Sequence, residues 1–182
     1  FLARHRSQTP LFPEIGQEFL RYLYEERDKV AGDPPFMLEL AHYEWVELDV
    51  SLSDADRESP PADPNGDLLT SVPMISPLAL NLTYRYPVHR ISPEYQPDRP
   101  GEQPTHLVVY RNRQDDVEFL EINAVTQRLI QLLKDNPEWT GRNTVMRIAK
   151  ELNHPQPDNI IEAGRQLLQD LRSRDIIIGT RV

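Results

Sequence analysis

The sequence predicts an α+β protein, a partial helical N-terminal module followed by a winged-helix-like module of a β-hairpin and three helices. Three observations predict it. Apolar residues recur at helical spacing in the first fifty positions, prolines crowd the middle, and residues 105–182 read strand, strand, helix, helix, helix, strand. The expected boundaries are residues 1–58, 59–104 and 105–182.

Ile15, Phe19, Tyr22 and Leu23 share one face of a helix predicted over 13–30, with Pro13 suited to its first turn. Gly32-Asp33-Pro34-Pro35 ends it. A second helix is expected from about Pro35 to Leu52, with Phe36, Leu40, Tyr43, Val46 and Val50 on one stripe. Asp33 or Pro34 is placed to start it, and Glu39 lies in its first turns, where the helix dipole favours an acid. The chain opens on Phe1-Leu-Ala-Arg-His5, which reads as the tail of a helix already under way, so further helices are expected upstream.

Ten of the 17 prolines fall between Ser59 and Pro104, a density that excludes long helices. Residues 59–67 read as an exposed linker. Within 78–91, Leu80, Leu82, Tyr84 and Tyr86 alternate with Asn81, Thr83 and Arg85, the pattern of an extended arm with one buried face.

In the last segment, 106–110 and 117–122 form a hairpin around a polar turn. Asn123 caps a helix carrying Val125, Leu129, Leu132 and Leu133. Thr144 is placed to cap the next, with Val145, Ile148, Ala149 and Leu152 inward. Asp158 or Asn159 caps the third, and Ile176–Ile178 closes as a strand.

Charge narrows the function. Residues 1–104 hold 9 Lys+Arg against 18 Asp+Glu, whereas residues 105–182 hold 11 of each. Neither half offers the basic face that displaces counterions from phosphates, so DNA is not the favoured partner. The third helix balances Arg165 and Arg172 against Asp158, Glu162 and Asp170. There is no cysteine, which removes disulfides and thiolate chemistry. With no long apolar run and no secretory signal, a cytoplasmic protein without a membrane partner is expected.

The densest group of reactive side chains is Glu39-Leu-Ala-His42-Tyr43-Glu44-Trp45-Val-Glu47. Glu39 and His42 share a helix face, the half-motif of helical di-iron sites, which need two such pairs and further glutamates; the other Glu-x-x-His, Glu151-Leu-Asn-His154, falls where the second C-terminal helix is interrupted. A structural or partner-facing role is therefore preferred for Glu39, His42, Tyr43, Trp45 and Glu47, with tyrosine and tryptophan as candidate interface anchors. No phosphate loop, nucleophile elbow or histidine ligand spacing occurs. No metal, cofactor or catalytic residue is assigned. The hairpin offers an edge to an extended peptide, with His106, Val108, Tyr110, Val117 and Phe119 as candidate contacts, unless the 78–91 arm covers it.

Several runs carry a resemblance. Pro10-Leu-Phe12-Pro-Glu-Ile15, Pro35-Phe36, Glu39-Leu-Ala-His-Tyr-Glu-Trp45, Tyr86-Pro-Val-His89 and Val109-Tyr-Arg111 resemble the HvfC/BufC-type proteins over nearly the whole chain. The resemblance implies a non-catalytic partner in the maturation of ribosomally made, post-translationally modified peptides (RiPPs). It implies pairing with a multinuclear non-haem iron oxidase that holds the iron, and a C-terminal module that helps hold the precursor's leader peptide, as in the related methanobactin partner subunit. The family's helical domain also carries a DNA-binding label, which the acidic charge of residues 1–104 does not support. A transcriptional regulator using its winged helix on DNA is the alternative, and the neutral charge of residues 105–182 counts against it.

Overall fold

The computed structural model describes residues 9, 12–27, 32–154 and 156–182. The fold is α+β, and the chain forms two compact units. One comprises residues 1–52 and 83–105, the other residues 53–82 and 106–182. The division departs from the three consecutive segments expected from composition, because the chain enters the second unit early, leaves it within one strand and returns.

In the first unit, α1 (Phe12–Arg21) widens into a π-helical turn at Tyr22–Glu26. Residues 28–30, the end of the helix expected over 13–30, lie outside the described residues. Arg27 follows, its Nε and Nη2 donating to the Asp33 carboxylate at 2.6 and 2.7 Å. α2 (Met37–Leu52) starts two residues after the expected point, because Pro34 and Pro35 form the preceding turn, closed by Met37 N–H on Pro34 O. Phe36, Val46 and Val50 are buried along the predicted stripe. Tyr84, Tyr86 and Val88 from the returning segment are also buried, and the 3₁₀ turn Val88–Arg90 packs on α2.

The second unit is built on two three-stranded sheets. In the first, β1 (Ala62–Asp63) and β2 (Pro73–Ile75) flank β6 (Ile177–Arg181), both antiparallel to it. In the second, the order is β3 (Ala79–Tyr84), β4 (Thr105–Arg111), β5 (Val117–Ile122). The supposed linker at 59–67 thus contributes a strand, and β6 pairs with it and with β2 rather than with the hairpin. Proline permits this because β2 is an edge strand. Arg181 N–H bonds Val72 O and Ser76 N–H bonds Ile176 O, so alternation turns Pro73 and Ile75 away from β6. Gly179 passes so close that a Cβ would lie 2.4 Å from Asp63 O, at φ +151, a conformation open to glycine alone.

The hairpin turn is held by Asn112, whose Oδ1 accepts from Gln114 and Asp116 N–H at 2.9 and 3.0 Å. α3 (Ala124–Asp135) is capped by Asn123 as the sequence predicts, its Oδ1 accepting from Thr126 N–H at 2.9 Å. α4 (Gly141–Glu151) is capped by Thr140 rather than Thr144, which is fully buried inside the helix. α5 (Pro157–Ser173) starts on a proline after Gln156, whose side chain makes no cap bond, so Asp158 and Asn159 fall inside the helix. Leu129, Ile130, Val145, Ile148, Leu168, Leu171, Ile176 and Ile177 form one core with Leu68, Leu69, Val108 and Tyr110. Each such aliphatic side chain contributes about 2 kcal/mol of transfer free energy when fully buried.

Glu151 ties α3 to α4. Its carboxylate accepts from Arg128 Nε and Nη2 at 2.9 and 2.8 Å and from Arg147 Nε at 2.9 Å. These two guanidiniums hold its carboxyl down to about 2. A carboxylate depressed in the fold stabilises it above the ordinary carboxylate range and loses that contribution as pH falls through the folded value. A ¹³C titration of Glu151 is expected to show its midpoint near 2 and to move upward in Arg128→Gln; an ordinary midpoint in the native chain would contradict the clamp.

Candidate functional site

Two regions were expected to meet partners, the acidic helix α2 and the hairpin β4–β5. On α2 the side chains divide. Glu39 faces the returning segment, where its Oε2 accepts from Arg85 N–H at 2.8 Å and Tyr86 N–H at 3.0 Å. One carboxylate thereby satisfies two main-chain donors, a charge-assisted arrangement. One turn on, His42 Nδ1 lies 2.9 Å from the Tyr84 hydroxyl. The Tyr43 and His42 rings meet Tyr84 edge-on at 6.4 and 5.8 Å, and Phe36 meets Tyr86 at 6.2 Å. Burial raises the Tyr84 phenol well above its ordinary range, so it remains protonated throughout the physiological window.

Glu39, His42 and Tyr43 therefore work inside the unit, holding residues 84–86 onto α2. Trp45 is half-buried over Gly16, where an added Cβ would come within 2.9 Å of the indole. Glu47 is exposed. Among the described residues no group of three or more His, Cys, Asp or Glu side chains is arranged to hold a metal. α2 carries Glu39, Glu44, Glu47 and Asp49 and no Lys or Arg.

Burial lowers the His42 pKa. A histidine depressed in the fold binds its proton more tightly when unfolded. Its contribution is thus complete above its unfolded value, about 6.5, and falls away at lower pH. The first unit is expected to lose stability between pH 7 and 5, and His42→Gln, which keeps a hydrogen-bonding group without titrating there, is expected to flatten that dependence. Amide exchange at Val46 and Val50 across this range reads the effect locally.

On the hairpin, the two strands differ. β4 lies between β3 and β5, so both of its edges are occupied, and Val108 and Tyr110 are buried in the core. The expected edge contacts on β4, at His106, Val108 and Tyr110, are corrected accordingly: a peptide cannot pair along a middle strand. β5 is the outer strand. Arg111 pairs with Val117, and Arg111 N–H is turned to Leu78 O, so alternation directs the Val117 main chain to the outer edge. Val117 and Phe119 share the sheet face opposite Leu120 and Ile122, which pack against the core.

The charges of the second unit are largely used within it. Arg165 pairs with Asp67 and Glu162, Arg172 donates to Gly66 O at 3.0 Å, and Arg174 pairs with Asp170. Residues 53–82 and 106–182 together hold 12 Lys+Arg against 16 Asp+Glu, a net of −4. An α5 whose cations are spent on neighbouring oxygens, in a unit of negative charge, is poorly equipped for a phosphate backbone.

Sequence reasoning missed two features. The bonds from Arg85 and Tyr86 to Glu39 span more than forty residues, and no local pattern announces them. The groove between β2 and α3, where Lys134 donates to Ala79 O at 2.8 Å, lies in a segment read as linker and arm. Among the described residues no helix is long and apolar enough to cross a membrane.

Comparison with protein families matches the HvfC C-terminal domain to residues 76–172. A search of curated proteins finds no match.

Proposed function

The chain belongs to the HvfC family, and on that premise we propose that it is a non-catalytic partner that binds a peptide-modifying, multinuclear non-haem iron oxidase and presents the leader of its precursor peptide during RiPP maturation. The observation that carries this reading is the extent of the match. Residues 76–172 span the sheet β3–β4–β5, the helices α3, α4 and nearly all of α5, and residues 83–105 of the first unit, so the family signature covers most of the second unit and reaches into the first. The iron and the oxidation are the partner's, and this chain supplies recognition.

The leader is held along β5, where main-chain bonds give affinity and alternate side chains give register. Val117 and Phe119 are the contacts that remain from the expected set. The exposed acids of α2, Glu47 among them, and the half-buried Trp45 belong to the surface offered to the oxidase, while Glu39, His42 and Tyr43 shape it from within. The regulator reading gains no support from the unit's charge.

Co-expression of the full-length protein with its genomic neighbours tests the reading. The expected result is a one-to-one complex in which iron travels with the neighbour and a small precursor peptide co-purifies. Val117→Pro removes one outward N–H and is expected to weaken leader binding about fivefold to tenfold, the loss of one main-chain hydrogen bond, without dissociating the oxidase. A protein that purifies alone and retains promoter DNA at moderate salt would instead be a regulator.

A further inference from the structure

A groove of about 310 Å³ in the second unit has no role in the reading above. Its walls are the outer side of β2, at Pro73 and Ile75, and the start of β3, at Leu80. Its floor is the last turn of α3, at Leu133 and Lys134, and Arg181 stands at the rim. The lining is mainly apolar, a character suited to a peptide side chain rather than to water.

Three facts about this groove specify an occupant. First, Lys134 has a partly buried ammonium whose hydrogen bond is to Ala79 O, and no carboxylate lies within ion-pair reach of it among the described residues. Removal from water lowers its pKa, with no opposing contribution from a nearby acid. An ammonium has three donors, so two remain for a ligand. Second, the other cation is already satisfied, because Arg181 Nη1 pairs with Glu138 at 2.7 Å and its Nη2 donates to Pro137 O. The uncompensated positive charge is thus localised at Lys134. Third, the β2 edge is interrupted. Pro73 has no N–H, Pro77 follows at the next but one outward position, and Ile75 between them is the outward-turned residue of β2 that has an N–H.

We propose that this groove binds a short extended segment of a partner protein in which an acidic side chain, flanked by apolar residues, pairs with Lys134 while its main chain bonds Ile75. The interrupted edge makes the segment short, the apolar walls select its neighbours, and Lys134 selects its charge. The site is separate from β5 and does not depend on the leader assignment, so either can fail without the other.

The test uses the full chain and two capped hexapeptides, one of alternating valine and glutamate, the other of alternating valine and glutamine. The acidic peptide is expected to shift the amide signals of Ile75, Ala79 and Leu80, with submillimolar affinity that weakens with added salt. It is also expected to raise the pKa of the Lys134 amine, followed by ¹⁵N at Nζ. The glutamine peptide is expected to bind at least tenfold more weakly. Lys134→Gln retains a donor for Ala79 O and is expected to fold and to lose affinity tenfold, whereas Lys134→Arg retains most of it. Equal binding of the two peptides, undiminished binding to Lys134→Gln, shifts confined to other surfaces, or no binding of the acidic peptide at millimolar concentration would each overturn the proposal.

Discussion

A chain beginning at residue 105 is expected not to fold cooperatively, although composition marks that position as a domain boundary. It would lose both strands that flank β6, leaving Ile177–Arg181 without a ladder. It would lose Leu68, Leu69 and Ala79 from the core. It would also lose the loop that closes the start of α4, where Gly141 N–H bonds Ser71 O at 3.2 Å and Arg142 N–H bonds Leu69 O at 2.9 Å. The two leucines alone represent about 4 kcal/mol of transfer free energy, a large share of the whole stability of a small domain, roughly 5–15 kcal/mol. A chain beginning at residue 53 restores all of these and is expected to regain a cooperative thermal transition. Circular dichroism and amide dispersion of the two chains decide the matter. A sharp transition in the shorter one would show that residues 53–82 are dispensable.

The second large effect is expected from a single methyl group. Gly141 opens α4 against the 68–71 loop, and a Cβ there would lie 1.9 Å from Leu68 O and 2.8 Å from Leu168 Cδ1. The leucine methyl could move aside, but the carbonyl is held in place. Asp67 Oδ1 accepts from Leu69 and Thr70 N–H at 2.8 and 2.9 Å, bonds that also pull the Asp67 carboxyl below its ordinary range. Relief therefore requires α4 to shift away from the loop, which opens the core beneath Val145 and Ile148. Gly141→Ala is expected to cost about 3 kcal/mol, the upper part of the range for overpacked cores, and to lower the Tm by about 10 °C. Because the obstacle is backbone, trimming Leu168 in the same chain is expected not to restore stability. Restoration would locate the strain in the side chain instead.

The two expectations share a cause that also explains what was legible in the sequence. The hairpin 106–122, the three helices after it and the cap at Asn123 are written locally, in alternation, helical spacing and a residue suited to its turn. The stripe on α2 could be read for the same reason. Residues 59–75 could not, because a proline-dense stretch reads as exposed linker. Pro73 occupies an outward position of an edge strand, and what buries Leu68 and Leu69 is a strand and a helix about a hundred residues away. Thr144 was the plausible cap of α4, since its side chain can accept a bond; Thr140 takes that place because the helix starts at Gly141, the residue small enough for the loop. On α2, a structural role for Glu39, His42 and Tyr43 stood beside a partner-facing one in the sequence, and nothing local chose between them, since their partners at residues 84–86 come from a distant stretch. The hairpin was legible as a whole, but only the order of the sheet separates the enclosed β4 from the outer β5.

Pro73 in β2 and Pro77 just beyond it have one more consequence. A sheet border with an unbroken row of donors and acceptors is a template, and identical molecules at high concentration can lengthen one another's sheets without limit. Pro73 and Pro77 leave one usable rung between them. Such a border can be capped by a guest but not copied by a sibling.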